Sequence, residues 1–330
     1  MNFNRIITLV QWKGNVENFF KQLKKLKNLL FLSLFLLCLL NTNCSQSIEP
    51  VDENENLIFD WQSNAQYSSD GEKIVFEGLY DSLYAIHFVD KSGNYLGHIL
   101  EENNNFLSSP TWGPENNKIA ISIDGNLFLV NINGDSLIQL SSSGQDFSPS
   151  WSYNGKYIAY TKSICDPECG IAVYNLSNNT KKVIRNYGGY SNWNKNSDKI
   201  YYYHTFFVKR PNSHISDYKG FVFKRIDINT LQEDSLFHVT NSDLWLTDCT
   251  ISPDEEEILF AASEGTPPQI YIWKLNLKQK VLYKMTVGDH PAFSPDGISI
   301  VYTNTEKSEG GLWVMNRDGA NKTRLTKLNR

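Results

Sequence analysis

A spacing of seven residues recurs six times along this chain and sets tight limits on what it can fold into. Each time, a large apolar or aromatic residue is followed seven positions later by an isoleucine: Tyr67/Ile74, Trp112/Ile119, Trp151/Ile158, Trp193/Ile200, Ile251/Ile258 and Phe293/Ile300. The clearest copy is DHPAFSPDGISIVY, Asp289 to Tyr302, which reads as a short strand, a tight Ser-Pro-Asp-Gly turn and a second strand. Proline presets φ at the second turn position, and glycine accepts the positive φ that other residues resist. The leading residues of the six pairs recur at intervals of 45, 39, 42, 58 and 42 residues. A period of about 40 to 45 residues with four short strands per unit is the mark of a β-propeller blade. The prediction is an all-β chain, a six-bladed β-propeller with four antiparallel strands per blade. Such a ring hosts enzymes, receptors and scaffolds alike, so fold leaves function open.

The blades run from about Asp60 to Glu101, Pro110 to Ser142, Ser148 to Arg185, Gly188 to Val239, Thr247 to Met285, and from Asp289 to the end. Blade four departs most, with an insertion, Thr205 to Gly220, expected as a long loop before its third strand. Extra length between two strands of one repeat is commonly functional. No stretch after residue 44 carries a helical period. LIFDW, Leu57 to Trp61, either opens blade one or pairs with the last blade to close the ring.

Residues 1–43 read as an export signal. Leu29 to Leu40 is a nearly unbroken apolar run of 12 residues, preceded by Lys21, Lys24, Lys25 and Lys27. A membrane-spanning helix needs about 20 apolar residues, so the run fits a signal core better than an anchor. Cys44 follows directly, an arrangement that resembles the lipobox of bacterial lipoproteins, although Asn41 and Asn43 stand where leucine and a small residue are usual. The resemblance implies lipid attachment at Cys44. Residues 44–56 then form a polar, acidic tether with too little apolar surface to fold, and residues 57–330 form the propeller. The expected location is the periplasm or cell surface, with a lipid anchor in the outer membrane as the sole membrane contact.

Without residues 1–43 the chain keeps 25 basic and 35 acidic residues, a formal charge of -10. Neutralising phosphates dominates nucleic-acid affinity, so no nucleic-acid partner is expected. Of the five cysteines, Cys38 lies in the signal core, and Cys165 and Cys169 sit four apart at the turn between the second and third strands of blade three. An oxidising compartment favours a disulfide between them. Cys249, in an inner strand, is expected as a buried apolar side chain.

The repeat also resembles a known family. Phe293-Ser294-Pro295-Asp296-Gly297 and Leu312-Trp313-Val314-Met315-Asn316-Arg317-Asp318-Gly319 resemble the repeats of TolB-type six-bladed propellers. Blade five keeps Ser252-Pro253-Asp254 with Glu255 in place of glycine, blade three has Ser152-Tyr153-Asn154-Gly155, and blades two and four keep little beyond tryptophan and isoleucine. The resemblance covers about residues 60 to 328. It does not reach the separate α/β domain that precedes the propeller in TolB, so a part in the Tol system is not implied.

Propellers place function where fourth-to-first and second-to-third strand loops emerge. On that face the register puts Asp146, Tyr190, Asp248, Asp289 and His290, joined by His204, Lys209, Arg210 and His214 of blade four. The candidate ligand-binding residues are therefore His290, Asp289, Asp248, Tyr190, His204, Arg210 and Trp245. Trp245 falls outside the anchor register, unlike Trp112, Trp151 and Trp193, and is the better candidate for a stacking platform. Asp289 and His290 suggest acid/base chemistry, yet neighbours in a strand point to opposite sides. No catalytic residue is assigned. No hydrolase elbow, zinc helix, phosphate loop or calcium loop is present, and no cofactor or metal is expected. The expected function is binding of a partner protein or glycan at the cell envelope by a monomer. The alternative is a lyase or hydrolase acting on carbohydrate at the channel mouth.

Overall fold

The computed structural model describes residues 58–102, 105–163, 170–210, 216–306 and 308–328. The export signal, Cys44, the tether, Cys165, Cys169 and His214 lie outside these residues, as does the side chain of Lys209.

The seven-residue spacing is a hairpin register. Each predicted pair sits directly across the first two strands of its blade: Tyr67 opposite Ile74, Trp112 opposite Ile119, Trp151 opposite Ile158, Trp193 opposite Ile200, Ile251 opposite Ile258 and Phe293 opposite Ile300. Side-chain chemistry locks the turn. In blade six the Ser294 hydroxyl accepts the Ser299 N–H (2.9 Å) and donates to Asp296 (2.5 Å), whose carboxylate accepts the Ile298 N–H at 3.0 Å. Ser68, Ser152 and Ser252 repeat this pattern. In blade four Asn194 does the work alone, taking the N–H groups of Lys199 (2.9 Å) and Asp198 (3.1 Å). Blade two has Gly113 there and closes its turn with backbone bonds only, which is why its motif is hard to see. Glu255 occupies the glycine position at φ 61°. It is held there by the Tyr201 hydroxyl of blade four, which donates to its carboxylate at 2.5 Å.

The structure contains six four-stranded antiparallel sheets, each with its strands in sequence order, and no helix among the described residues. The cores lie between sheets: Phe221, Phe223 and Phe260 pack blade four on blade five, and Val75, Ile86 and Trp112 pack blade one on blade two. Both readings of LIFDW hold in part. Ile58–Phe59 pairs in parallel with Lys327–Leu328, while Trp61–Tyr67 forms the inner strand of blade one. The ring is thus closed by two residues of each end, over a fully buried Phe59.

Among the described residues, the insertion in blade four is mostly strand rather than loop. Lys199–Lys209 and Ser216–Asp227 stay paired, across one slip between Phe206 and Phe207, out to Lys209 opposite Ser216, so the second and third strands project past their neighbours. Thr205, Phe206, Phe207 and Val208 on one strand and Tyr218, Phe221 and Val222 on the other are strand formers that carry the ladder outward.

Candidate functional site

The inner strands do more than line a channel. Every one of them breaks register against its neighbour part-way along. The residue three places before the anchor is Asn64, Ser109, Ser148, Tyr190, Asp248 and His290 in the successive blades. Five of these six take a left-handed backbone: Asn64 (φ 53°), Ser109 (53°), Ser148 (50°), Tyr190 (50°) and His290 (48°). Bulges of this kind re-aim side chains, and non-glycine residues are held there only when the surroundings enforce it. In three of these bulges the N–H is capped by a side chain. Ser109 donates to Glu77 Oε2 (3.0 Å), Tyr190 to Thr161 Oγ1 (3.2 Å) and His290 to Asp289 Oδ1 (2.9 Å). Asn64, Ser109, Ser148, Tyr190 and Asp248 line the channel.

The bulge also overturns the expectation that Asp289 and His290 point apart. With His290 in the left-handed region, its Nδ1 comes within 3.5 Å of Asp289 Oδ2 and 3.0 Å of Ser63 Oγ. Thr247 donates to Asp289 Oδ1 at 2.9 Å. Asp248 accepts the Cys249 N–H at 2.7 Å. Burial first, and the nearby Asp289 second, push the Asp248 carboxyl well above the usual carboxylate range. Burial pushes the His290 imidazole down against the opposing pull of Asp289. Asp289, Asp248, His290 and Tyr190 are therefore brought to one channel mouth. Cys249 is buried beside them with its thiol pushed up by burial. Among the described residues no three His, Cys, Asp or Glu side chains group closely enough to hold a metal.

Glu77 was missed in the sequence. It is 2% exposed, accepts from Asn64 Nδ2 at 2.5 Å and from Ser109 N, and burial pushes its pKa up to about 7. The available signal was a lone acidic residue inside KIVFEGLY. A carboxyl whose pKa rises on folding stabilises the fold below its unfolded value near 4.5 and loses that contribution as pH climbs to about 7. Glu77→Gln is therefore expected to be more stable than the parent by about 2 to 3 kcal/mol at pH 8, with the gap closing near pH 4.5. Denaturant melts of both proteins across that range check it. His87, pushed down to about 4 by burial, titrates in both proteins and cancels from the difference.

Beside the mouth, a cleft of about 860 Å³ opens between blades three and four. Its walls are aromatic: Phe147, Tyr187, Tyr190, Tyr203, Phe206 and Phe207, with His204 among them. Tyr187 is 60% exposed, sits at φ 63° and lies nearly parallel to His204, at 14° and 6.2 Å between ring centres. The following Gly188 is obligatory, because a Cβ there would meet Tyr202 at 2.8 Å. Tyr190 lines both channel and cleft. On the far side of the hairpin, Trp245 is 53% exposed and stacks on Tyr218 at 4.1 Å and 17°. Exposure and packing are thus combined in one indole. Arg210 is exposed and paired with Asp217 at 2.6 Å on the hairpin, apart from the residues lining the cleft.

No protein-family model matches the chain, and no curated protein sequence matches it. Solved structures do. The TolB of Acinetobacter baumannii aligns with a TM-score of 0.59 at 17% identity over 79% of this chain. The chain spans 62% of that protein's length. A TolB-type protein of Agrobacterium tumefaciens aligns at 0.53 and 17% identity, covering 69% of this chain and 83% of its own. An oligogalacturonate lyase in complex with manganese aligns at 0.54 and 13% identity, covering 82% and 78%. These likenesses establish the fold, a TolB-like six-bladed propeller.

Proposed function

Starting from a TolB-like propeller with an aromatic cleft on its looped face, we propose an exported, lipid-anchored binding protein of the cell envelope that captures a glycan or partner protein there. The observation that carries this reading is the cleft itself. Tyr187 is strained, exposed and backed by His204, and half-exposed Phe207 (54%) and Trp245 continue the aromatic surface across the hairpin. Exposed rings held rigidly by stacking suit the flat apolar face of a sugar, because little freedom is lost when the ligand arrives. Serine, threonine and tyrosine hydroxyls between the rings supply hydrogen bonds to sugar hydroxyls. A glycan is therefore favoured over a protein partner. The protein acts as a monomer and binds no nucleic acid in this reading.

A glycan array probed with the exported domain tests it. Tyr187→Ala is expected to lose about tenfold in affinity, the equivalent of one stacking contact of about 1.4 kcal/mol. Unchanged binding by Tyr187→Ala would remove the cleft from the account. The anchor is tested separately, since Cys44→Ala is expected to move the protein from the membrane fraction to the soluble one. Mass spectrometry of the parent should show an acylated Cys44 as the first residue.

A second reading rests on the channel mouth. The buried Asp248 carboxyl, Asp289 and the His290 imidazole bonded to Ser63 form a set of acid and base groups able to move protons. In that reading the propeller cleaves the carbohydrate it binds. Release of new chain ends from a bound glycan, abolished by His290→Gln, would favour it.

A further inference from the structure

We infer that the cleft between blades three and four selects an anionic saccharide, its ring stacked on Tyr187 and its negative group held by Lys162. The inference rests on the glycan-binding reading and adds the ligand's charge. Two observations carry it, and both concern where charge is placed on a domain that is otherwise strongly acidic.

Among the described residues that line the cleft there is no carboxylate, and the one permanently charged side chain is Lys162. The outermost residue of its strand, Lys162 lies opposite Asp146 in the ladder, yet makes no ion pair with it, nor with any other described residue. The neighbouring channel mouth differs, carrying Asp248 and Asp289. Among the described residues, the side chains lining the cleft thus include a cation and no carboxylate, whereas the channel side of Tyr190 carries Asp248.

The wall behind His204 extends this polarity. Arg185 Nε lies 2.7 Å from Glu233 Oε2, too oblique for a hydrogen bond, and Lys224 pairs with the other oxygen of the same carboxylate. Two cations share one anion, so the wall keeps a net positive charge. After burial, Lys224 and Arg185 are the main causes that push the His204 imidazole down, which leaves an uncharged ring under Tyr187. A ligand that stacks on Tyr187 therefore meets positive potential at its edge from Lys162 and through the wall. A neutral sugar gains the stack alone. A carboxylated or sulfated sugar gains a charge-assisted hydrogen bond as well, and that bond is weakened by salt.

The test uses the exported domain and a matched pair of probes, oligomannuronate and mannooligosaccharide of equal length, which differ in the carboxylate on each ring. Titration calorimetry is expected to show the anionic oligomer binding about tenfold more tightly at low salt, with the advantage shrinking as salt rises. Lys162→Gln should bring the anionic oligomer down to the level of the neutral one. Tyr187→Ala should weaken both. Thermal melts establish that the two variants are folded. Equal binding of the two oligomers, both sensitive to Tyr187→Ala, would overturn the charge inference and leave the glycan reading standing. If neither binds, while the parent is folded, the inference falls together with the glycan reading.

Discussion

Ending the chain after Arg324 is expected to unfold the whole propeller rather than fray one edge. The removed segment contains Leu325 and Thr326, both buried, and the strand Lys327–Leu328 that pairs with Ile58–Phe59. Leu325 packs in the same core as Phe59, Phe76, Val89 and Val301, which joins blade six to blade one. Losing Leu325 and uncovering Phe59 costs about 3 to 6 kcal/mol at roughly 1.5 to 3 per large apolar side chain. Thr326 adds two buried bonds, accepting the Leu312 N–H at 2.9 Å and donating to Gln62 Oε1 at 2.8 Å. At about 1 kcal/mol each the total reaches about 5 to 8 kcal/mol, comparable with the entire stability of an ordinary domain. Loss of the folded circular dichroism signal at room temperature is the expected result. Thr326→Val is the graded version, keeping the size and breaking both bonds. It should cost about 2 to 3 kcal/mol, since the Leu312 N–H is left buried without a partner. A truncated protein that melts like the parent would mean that the ring is held closed elsewhere.

The second large effect is expected at Gly220, and it links the fold to the cleft. Gly220 lies opposite Phe206, where the two long strands of blade four slip register by one residue. Its φ is 130°, a region that side chains disfavour, and a Cβ added there would stand 1.9 Å from the Val239 carbonyl oxygen. That contact is with backbone and cannot be relieved by a rotamer change. Gly220→Ala must therefore push the outer strand Glu233–Val239 away or flatten the slip. Either change costs about 3 kcal/mol or more. The slip also decides which side of the hairpin each aromatic faces. Phe206 and Phe207 line the cleft, and Phe207 packs on Tyr218, which carries Trp245. Gly220→Ala should lower the denaturation midpoint and weaken glycan binding together. Lowered stability with full binding would show that the hairpin is not what shapes the cleft.

Much of the fold could be read from the chain because the turn is specified by side chains. Ser294, Asp296 and Gly297 each have one job in the turn, and those jobs fix residue types at fixed spacing. Where the job passes to a single asparagine, as at Asn194, or to backbone alone, as at Gly113, the motif fades although the geometry persists. The hairpin of blade four was misread as a loop because length beyond a repeat carries no label of its own, even though its residues favour strands. The site was legible only in part. Tyr190, Asp248, Asp289 and His290 could be placed at one mouth by register, but their contacts depend on bulges. A bulge is set by how an inner strand fits its neighbours, and serine, asparagine, tyrosine and histidine all occupy the same left-handed position. Tyr187 and Glu77 went unnoticed for the same reason, since exposure and burial at those positions are properties of the assembled ring.

The central claim is that the looped face beside Tyr187 is where this protein meets its ligand. Hydrogen exchange of the exported domain, with and without oligosaccharides prepared from bacterial envelope glycan, tests that claim without prior choice of a single sugar. The account predicts slowed exchange at residues 187–190 and 203–207, with the hairpin turns that join the first and second strands on the opposite face unchanged. Protection confined to those turns, around Ser69, Asn154 and Asp296, would contradict it.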